Sequence, residues 1–247
     1  MGIMVNSKKE SIIEEIIFEA DEFRLKGYLH LPPVTTPPFV IGCHGLFSDK
    51  NSPKQIELAK HCNRLNIAYF RFDHRGCGES KAPLETVTSL NARCIDLKAA
   101  ANMLRARDDL GDQMGIFGSS MGGSVCLSVA GDLAAHAIVT WAAPIRSADL
   151  VRQHAQSAVD SDIPFKRNPF DISNQLEGLR NVLILHGDAD ETVPLPHAEE
   201  IYERVSEPKK MVTFPASDHR MSQPADQQTF LREAILWFKT CLKPNTK

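Results

Sequence analysis

The chain has 247 residues, 43% of them hydrophobic and 24% charged, with a formal charge of −3. That balance is the ordinary make-up of a globular protein and excludes the basic footprint of a nucleic-acid or anionic-membrane binder. No apolar run approaches the ~18 residues that a membrane span requires, and six scattered cysteines with no C-x-x-C pair read as reduced, buried small hydrophobes.

The first ten residues lack the apolar centre of a signal peptide, so a cytoplasmic location is expected. Ile12 to Phe18 and Phe23 to Leu31 are β-rich runs parted by Ala20-Asp21-Glu22, which predicts an antiparallel hairpin. Phe39 to Cys43 is continuously apolar, as in a strand covered on both faces, and runs into His44-Gly45-Leu46-Phe47. Ser52-Pro53-Lys54-Gln55 has the pattern of a capping box with proline at the first helical position. It opens a helix expected to turn Ile56, Ala59, Cys62 and Leu65 inward. A strand from Ala68 to Phe72 ends at Asp73-His74-Arg75-Gly76-Cys77-Gly78. Leu90, Cys94, Leu97, Ala101 and Leu104 then recur at helical steps.

Met114 to Phe117 is the next apolar run, and it enters Gly118-Ser119-Ser120-Met121-Gly122-Gly123 before a helix-compatible stretch of small residues. This is G-x-S-x-G between a strand and a helix, a turn that pushes a serine hydroxyl out over the sheet. Further strands are predicted at Ala137 to Trp141, Val182 to Leu185 and Lys210 to Phe214. Helices are expected from about Pro196 to Val205 and in a final segment carrying Leu231, Ile235, Phe238 and Leu242. Alternating strands and helices predict an α/β fold with a mostly parallel sheet, covered on both faces, whose active groups collect beyond the carboxyl ends of the strands. The irregular stretch 145–180 is too long for a simple connection and reads as a short cap or lid within a single 1–247 domain.

Together these residues resemble the α/β-hydrolase superfamily, most of all its compact, short-capped esterase, monoacylglycerol-lipase and serine-aminopeptidase-like branches. The resemblance spans nearly the whole chain and keeps the order serine, acid, histidine. It implies a nucleophile elbow at Gly118 to Gly122, an oxyanion loop at His44-Gly45 and an acid loop at His186-Gly187-Asp188-Ala189-Asp190. The closing histidine would stand in Asp218-His219. The 44–47 loop departs from the glycine-rich form of larger lipases, which leaves Leu46 or Phe47 as the amide that donates there.

Ser120 is the nucleophile candidate, with Ser119 one place too early; His219 is the base, ahead of His74 in the 73–75 loop and of the remaining histidines. Asp190 is expected to orient the imidazole, in preference to Asp188 or Asp218. The main-chain amides of Leu46 and Met121 would hold an oxyanion. Phe47, Trp141, Ile145 and Phe165 are the candidate pocket residues. Lys81 stands where a dinucleotide fingerprint needs its third glycine, no P-loop lysine follows the elbow and no Cys/His set has zinc spacing. No cofactor and no metal are therefore expected.

The function read from these residues is hydrolysis of small-molecule carboxylic esters, with small to medium acyl or aryl groups, through an acyl-enzyme. The same triad would serve thioesters, amino-terminal peptide bonds or C–C bonds, because the pocket selects the substrate. A different class of reading keeps the fold as a non-catalytic ligand-binding module. Nucleic acid and a membrane span are not expected, and the oligomeric state stays open, a homodimer among the options.

Overall fold

A computed structural model describes residues 11–154 and 168–243. Strands β1 (Ile12–Ala20) and β2 (Phe23–Leu31) form the expected antiparallel hairpin, closed by Asp21 in the left-handed region at φ 53°. The other strands are β3 (Phe39–Cys43), β4 (Ala68–Phe72), β5 (Met114–Ser119), β6 (Ala137–Trp141), β7 (Val182–Gly187) and β8 (Lys209–Phe214). They join the hairpin in one eight-stranded sheet of order β1-β2-β4-β3-β5-β6-β7-β8. From β4 to β8 every neighbouring pair is parallel.

Parallel neighbours need crossovers, and helices supply them on both faces. Against one face pack α1 (Pro53–Arg64) and the last helix, α7 (Pro224–Cys241). Helices α3 (Leu90–Arg105), α4 (Met121–Val129) and α6 (Pro196–Arg204) cover the other. Two shorter helices are α2 (Leu84–Val87) and α5 (Ser147–His154). The central strands read as unbroken apolar runs because alternate residues serve different layers: Phe39, Ile41 and Cys43 point to the α3/α4 side, and Val40 to the α1/α7 side.

Two helices bury only part of the faces that their sequences imply. In α1 the inward residues are Gln55, Leu58, Ala59 and Cys62, while Ile56 is half-buried and Leu65 exposed. The capping box does not form: Ser52 makes no side-chain cap, and Gln55 instead accepts a hydrogen bond from the buried Tyr69 hydroxyl at 2.7 Å. A buried hydroxyl without an acceptor would cost more than an uncapped, solvent-facing helix start. At the last helix Phe238 and Leu242 are buried as expected, while Phe230, packed beside Phe117 and Trp141, and Ala234 take the other inward places and leave Leu231 and Ile235 half-buried.

Strand order places the site. The chain runs from β3 to β4 on one side and then crosses to β5 on the other, so the connections leaving β3 and β5 diverge at their carboxyl ends. A crevice opens at such a switch point. The loops at its edges are 44–47 and 119–121.

Candidate active site

Ser120 lies between β5 and α4 with φ 52° and ψ −126°, a strained backbone for a residue with a Cβ. The turn closes through the Ser120 amide, which donates to the Trp141 carbonyl at 2.7 Å, and the Gly123 amide, which donates to the Ser120 carbonyl at 2.7 Å. It is tight enough to require glycine on both sides. A Cβ at Gly118 would strike the Gly122 backbone, and one at Gly122 would strike the Cys43 carbonyl at the end of β3. This steric requirement is what the G-x-S-x-G spacing encodes.

Loop 44–47 lies against this turn, with Gly45 facing the Ser119 carbonyl and the Ser120 Cβ. Its foundation is Arg93, a fully buried guanidinium on α3. Arg93 donates to the carbonyls of His44 (3.3 Å), Gly45 (3.3 Å) and Leu46 (3.0 Å), and to the Cys77 sulfur and the Thr88 hydroxyl. His44 Nε2 accepts from the His74 amide at 3.1 Å, so its proton sits on Nδ1 and is donated to the Gly45 carbonyl at 2.7 Å. With these carbonyls bound on the inner side, the amides of Leu46 and Met121 have no acceptor among the described residues. The Leu46 and Met121 side chains pack with Leu150 and Val193 in a small apolar cluster.

On the opposite wall, Asp190 and His219 meet. The His219 Nδ1–H donates to Asp190 Oδ2 at 2.8 Å, and Asp190 Oδ1 accepts the amides of Thr192 (2.8 Å) and Val193 (2.7 Å). The two amides anchor Oδ1 of this buried carboxylate, so that Oδ2 is held toward the ring it orients. The main chain of His219 is tied at both ends: its amide donates to Glu191 Oε2 at 3.3 Å, and its carbonyl accepts from the Trp141 indole at 2.9 Å. The competing carboxylates are committed elsewhere. Asp188 accepts the Ala216 amide, and Asp218 accepts both the amide and the hydroxyl of Ser222.

Ser120 and His219 line one cavity of about 690 Å³, together with loop 45–48, Lys54, Leu150, residues 191–193 and Arg220. His219 is the only histidine among the described residues to do so. His74 is buried behind loop 44–47, with Nδ1 at 3.3 Å from Asp96. His186 donates from Nε2 to the Val193 carbonyl at 2.7 Å, and burial lowers its pKa. An imidazole held by a carboxylate through one nitrogen keeps the other for proton transfer, and it shares this cavity with the half-buried Ser120.

The pocket expectations divide. Phe47 stands at the cavity rim, 76% exposed. Trp141 is fully buried on the other side of the sheet against Phe214 and Phe230, and its role is to hold the His219 carbonyl rather than to line the cavity. Ile145 is likewise in the core, its amide donating to His197 Nδ1. Phe165 lies outside the described residues. Sequence reading passed over Arg93, Lys54, Glu191 and Arg220. For Arg93 a signal was present: an arginine beside Cys94 on the face that buries Leu97, Ala101 and Leu104.

Among the described residues there is no group of side chains suited to hold a metal ion, and no helix is long and apolar enough to cross a membrane. The model of a family described as serine aminopeptidase, S33, matches residues 37–165, just over half of the chain. The uncharacterised protein YfhR of Escherichia coli strain K12 is 27% identical over 221 residues, covering 83% of this chain and 73% of its own. Mouse mitochondrial ABHD10, a palmitoyl-protein thioesterase, is 26% identical over 218 residues, covering 76% of this chain and 71% of its own. Among solved structures, the Pyrococcus furiosus esterase Pf2001 superposes with a TM-score of 0.80 at 16% identity, over 98% of this chain and 95% of its own. Est1E of Butyrivibrio proteoclasticus, with ferulic acid bound, gives 0.76 at 18% identity over 92% and 98%. The strand order, the turn at Ser120 and these matches lead to one conclusion: the chain belongs to the serine aminopeptidase S33 family of α/β-hydrolases.

Proposed function

We propose that this protein is a serine hydrolase that cleaves carboxylic esters of small to medium acyl or aryl groups through an acyl-enzyme. The observation that carries the reading is the His219–Asp190 hydrogen bond at 2.8 Å in the wall of a cavity that Ser120 also lines from its strained turn. Ser120 Oγ attacks the ester carbonyl carbon as its proton passes to His219 Nε2. The carbonyl oxygen, now negative, is held by the amides of Leu46 and Met121. Collapse of the tetrahedral intermediate breaks the bond to the alcohol, which leaves with the proton from His219. Water then gives a proton to His219 and attacks the acyl carbon, and the acid departs as Ser120 regains its proton. Asp190 stays ionised and stabilises the imidazolium that forms twice in each cycle.

A cavity of about 690 Å³ suits a medium-sized acyl or aryl ester better than a triglyceride. In this reading the described parts of segment 145–180 belong to a short cap on a single hydrolase domain, with Leu150 in the cavity wall, while residues 155–167 lie outside the described residues; the protein works in the cytoplasm without a cofactor. A thioester is the second reading, favoured by the likeness to ABHD10. Purified enzyme assayed on p-nitrophenyl esters from acetate to palmitate, on hydroxycinnamate esters and on a palmitoyl thioester tests both. Hydrolysis that peaks at short or aryl esters and vanishes in Ser120→Ala supports the first reading, and a preference for the thioester supports the second. No turnover of any substrate contradicts both and leaves the binding-module reading.

A further inference from the structure

Two cations line the candidate site without a carboxylate partner among the described residues. Lys54, in the first turn of α1, uses one Nζ donor on the Arg220 carbonyl at 2.9 Å and stands over the Trp141 ring at 5.9 Å. The guanidinium of Arg220 is exposed at the same wall and bonds to no described residue. The acids nearby have other duties: both oxygens of Asp218 serve Ser222, Glu191 accepts the His219 amide, and Asp190 holds the His219 ring. Burial lowers the pKa of Lys54, with Asp218 and Asp190 opposing that shift from a distance. A half-buried ammonium with two Nζ donors free of described partners, beside an exposed guanidinium, is suited to receive an anion.

Its position says which part of a substrate would carry that anion. Lys54 holds the carbonyl of the residue after His219, so it belongs to the histidine wall and not to the wall of loop 44–47. The histidine protonates the departing oxygen, and the leaving group therefore lies on that wall. We propose that Lys54 and Arg220 form an anion seat on the leaving-group side, so that the preferred substrates are esters whose alcohol part carries a carboxylate or a phosphate. This rests on the serine hydrolase reading above and adds the substrate class to it.

Matched ester pairs test the proposal. 4-Acetoxybenzoate is compared with 4-acetoxybenzamide, 4-acetoxyphenyl phosphate serves as the phosphate arm, and phenyl hydrogen succinate with phenyl butyrate moves the charge to the acyl side. The expected result is an anionic-to-neutral ratio of kcat/KM of about ten or more for the alcohol-side pair only. That ratio should fall about tenfold in Lys54→Met, less in Arg220→Gln, and stay within about threefold in Lys54→Arg. The relative rates of the carboxylate and phosphate arms identify which anion is seated. A ratio near one with normal turnover of the neutral ester, a ratio unmoved by Lys54→Met, or a preference for the acyl-side anion overturns the anion seat and leaves the hydrolase reading standing. Failure to turn over any of these esters, together with no labelling of Ser120 by a fluorophosphonate, overturns both.

Discussion

The two walls of the cavity are built on different principles. Loop 44–47 rests on a buried polar layer: Arg93 is 0% exposed and donates to three successive carbonyls, while Asp96 beside it accepts from the Arg75 amide and side chain. The opposite wall has one buried carboxylate, and its imidazole is 17% exposed. The contrast follows from the chemistry each wall would perform. Main-chain dipoles stabilise a developing charge well only if they need not reorganise, which favours a rigid, anhydrous support. A group that exchanges protons with an incoming water must be reachable by water.

Substitutions on the two walls should therefore fail in different ways. The largest effect belongs to the residue between them: Ser120→Ala should lower kcat by about 10⁶-fold while the protein stays folded, as read by near-UV circular dichroism. On the histidine wall, Asp190→Asn should cost about 10⁴-fold in kcat, because the wrong imidazole tautomer then faces Ser120. Asp188→Asn should leave kcat within about tenfold, since among the described residues its carboxylate serves only the Ala216 amide. An inverted ranking of the two aspartates would reassign the acid.

On the other wall, Arg93→Met should act on catalysis and stability together. Loss of the fixed loop should lower kcat about 10²-fold with little change in KM, and the orphaned carbonyls of residues 44–46 should cost about 3 kcal/mol in urea unfolding. Arg93→Lys keeps the charge but not the fork, and should recover stability before it recovers kcat. A loss of stability with kcat intact would reduce Arg93 to a purely structural part.

The smallest effect is on pH. Burial, and then the charge of Arg71, lower the pKa of His30 to about 4, and burial holds His44, His186 and His197 below the ordinary histidine range. Histidines that are neutral when folded take up protons on unfolding below pH ~6.5, so stability is complete above that value and declines as pH falls toward 4. Urea midpoints measured from pH 7.5 to 4.5 should fall accordingly. His30→Gln, which keeps an acceptor for the Arg71 Nε–H, should flatten part of the slope.

Much of this architecture was legible in the sequence. The apolar runs at β3, β5, β6 and β7 mark strands because a parallel sheet buries both faces, and G-x-S-x-G marks the turn because only glycine fits around it. What was illegible depends on neighbours distant in the chain. Gln55 abandons its cap for a hydroxyl on β4, Trp141 turns to the far face to meet α7, and Arg93 is buried because three carbonyls from β3's exit loop await it. Helical periodicity locates a face but cannot say that a charged residue on it will find acceptors.

Hydrolysis at this site requires above all that Ser120 be an activated nucleophile. Incubation with a fluorophosphonate, followed by intact mass and peptide mapping, measures this directly. One stoichiometric adduct on Ser120 is expected, absent in Ser120→Ala and strongly slowed in His219→Ala. An unlabelled protein, or an adduct on another residue, would contradict the serine hydrolase reading.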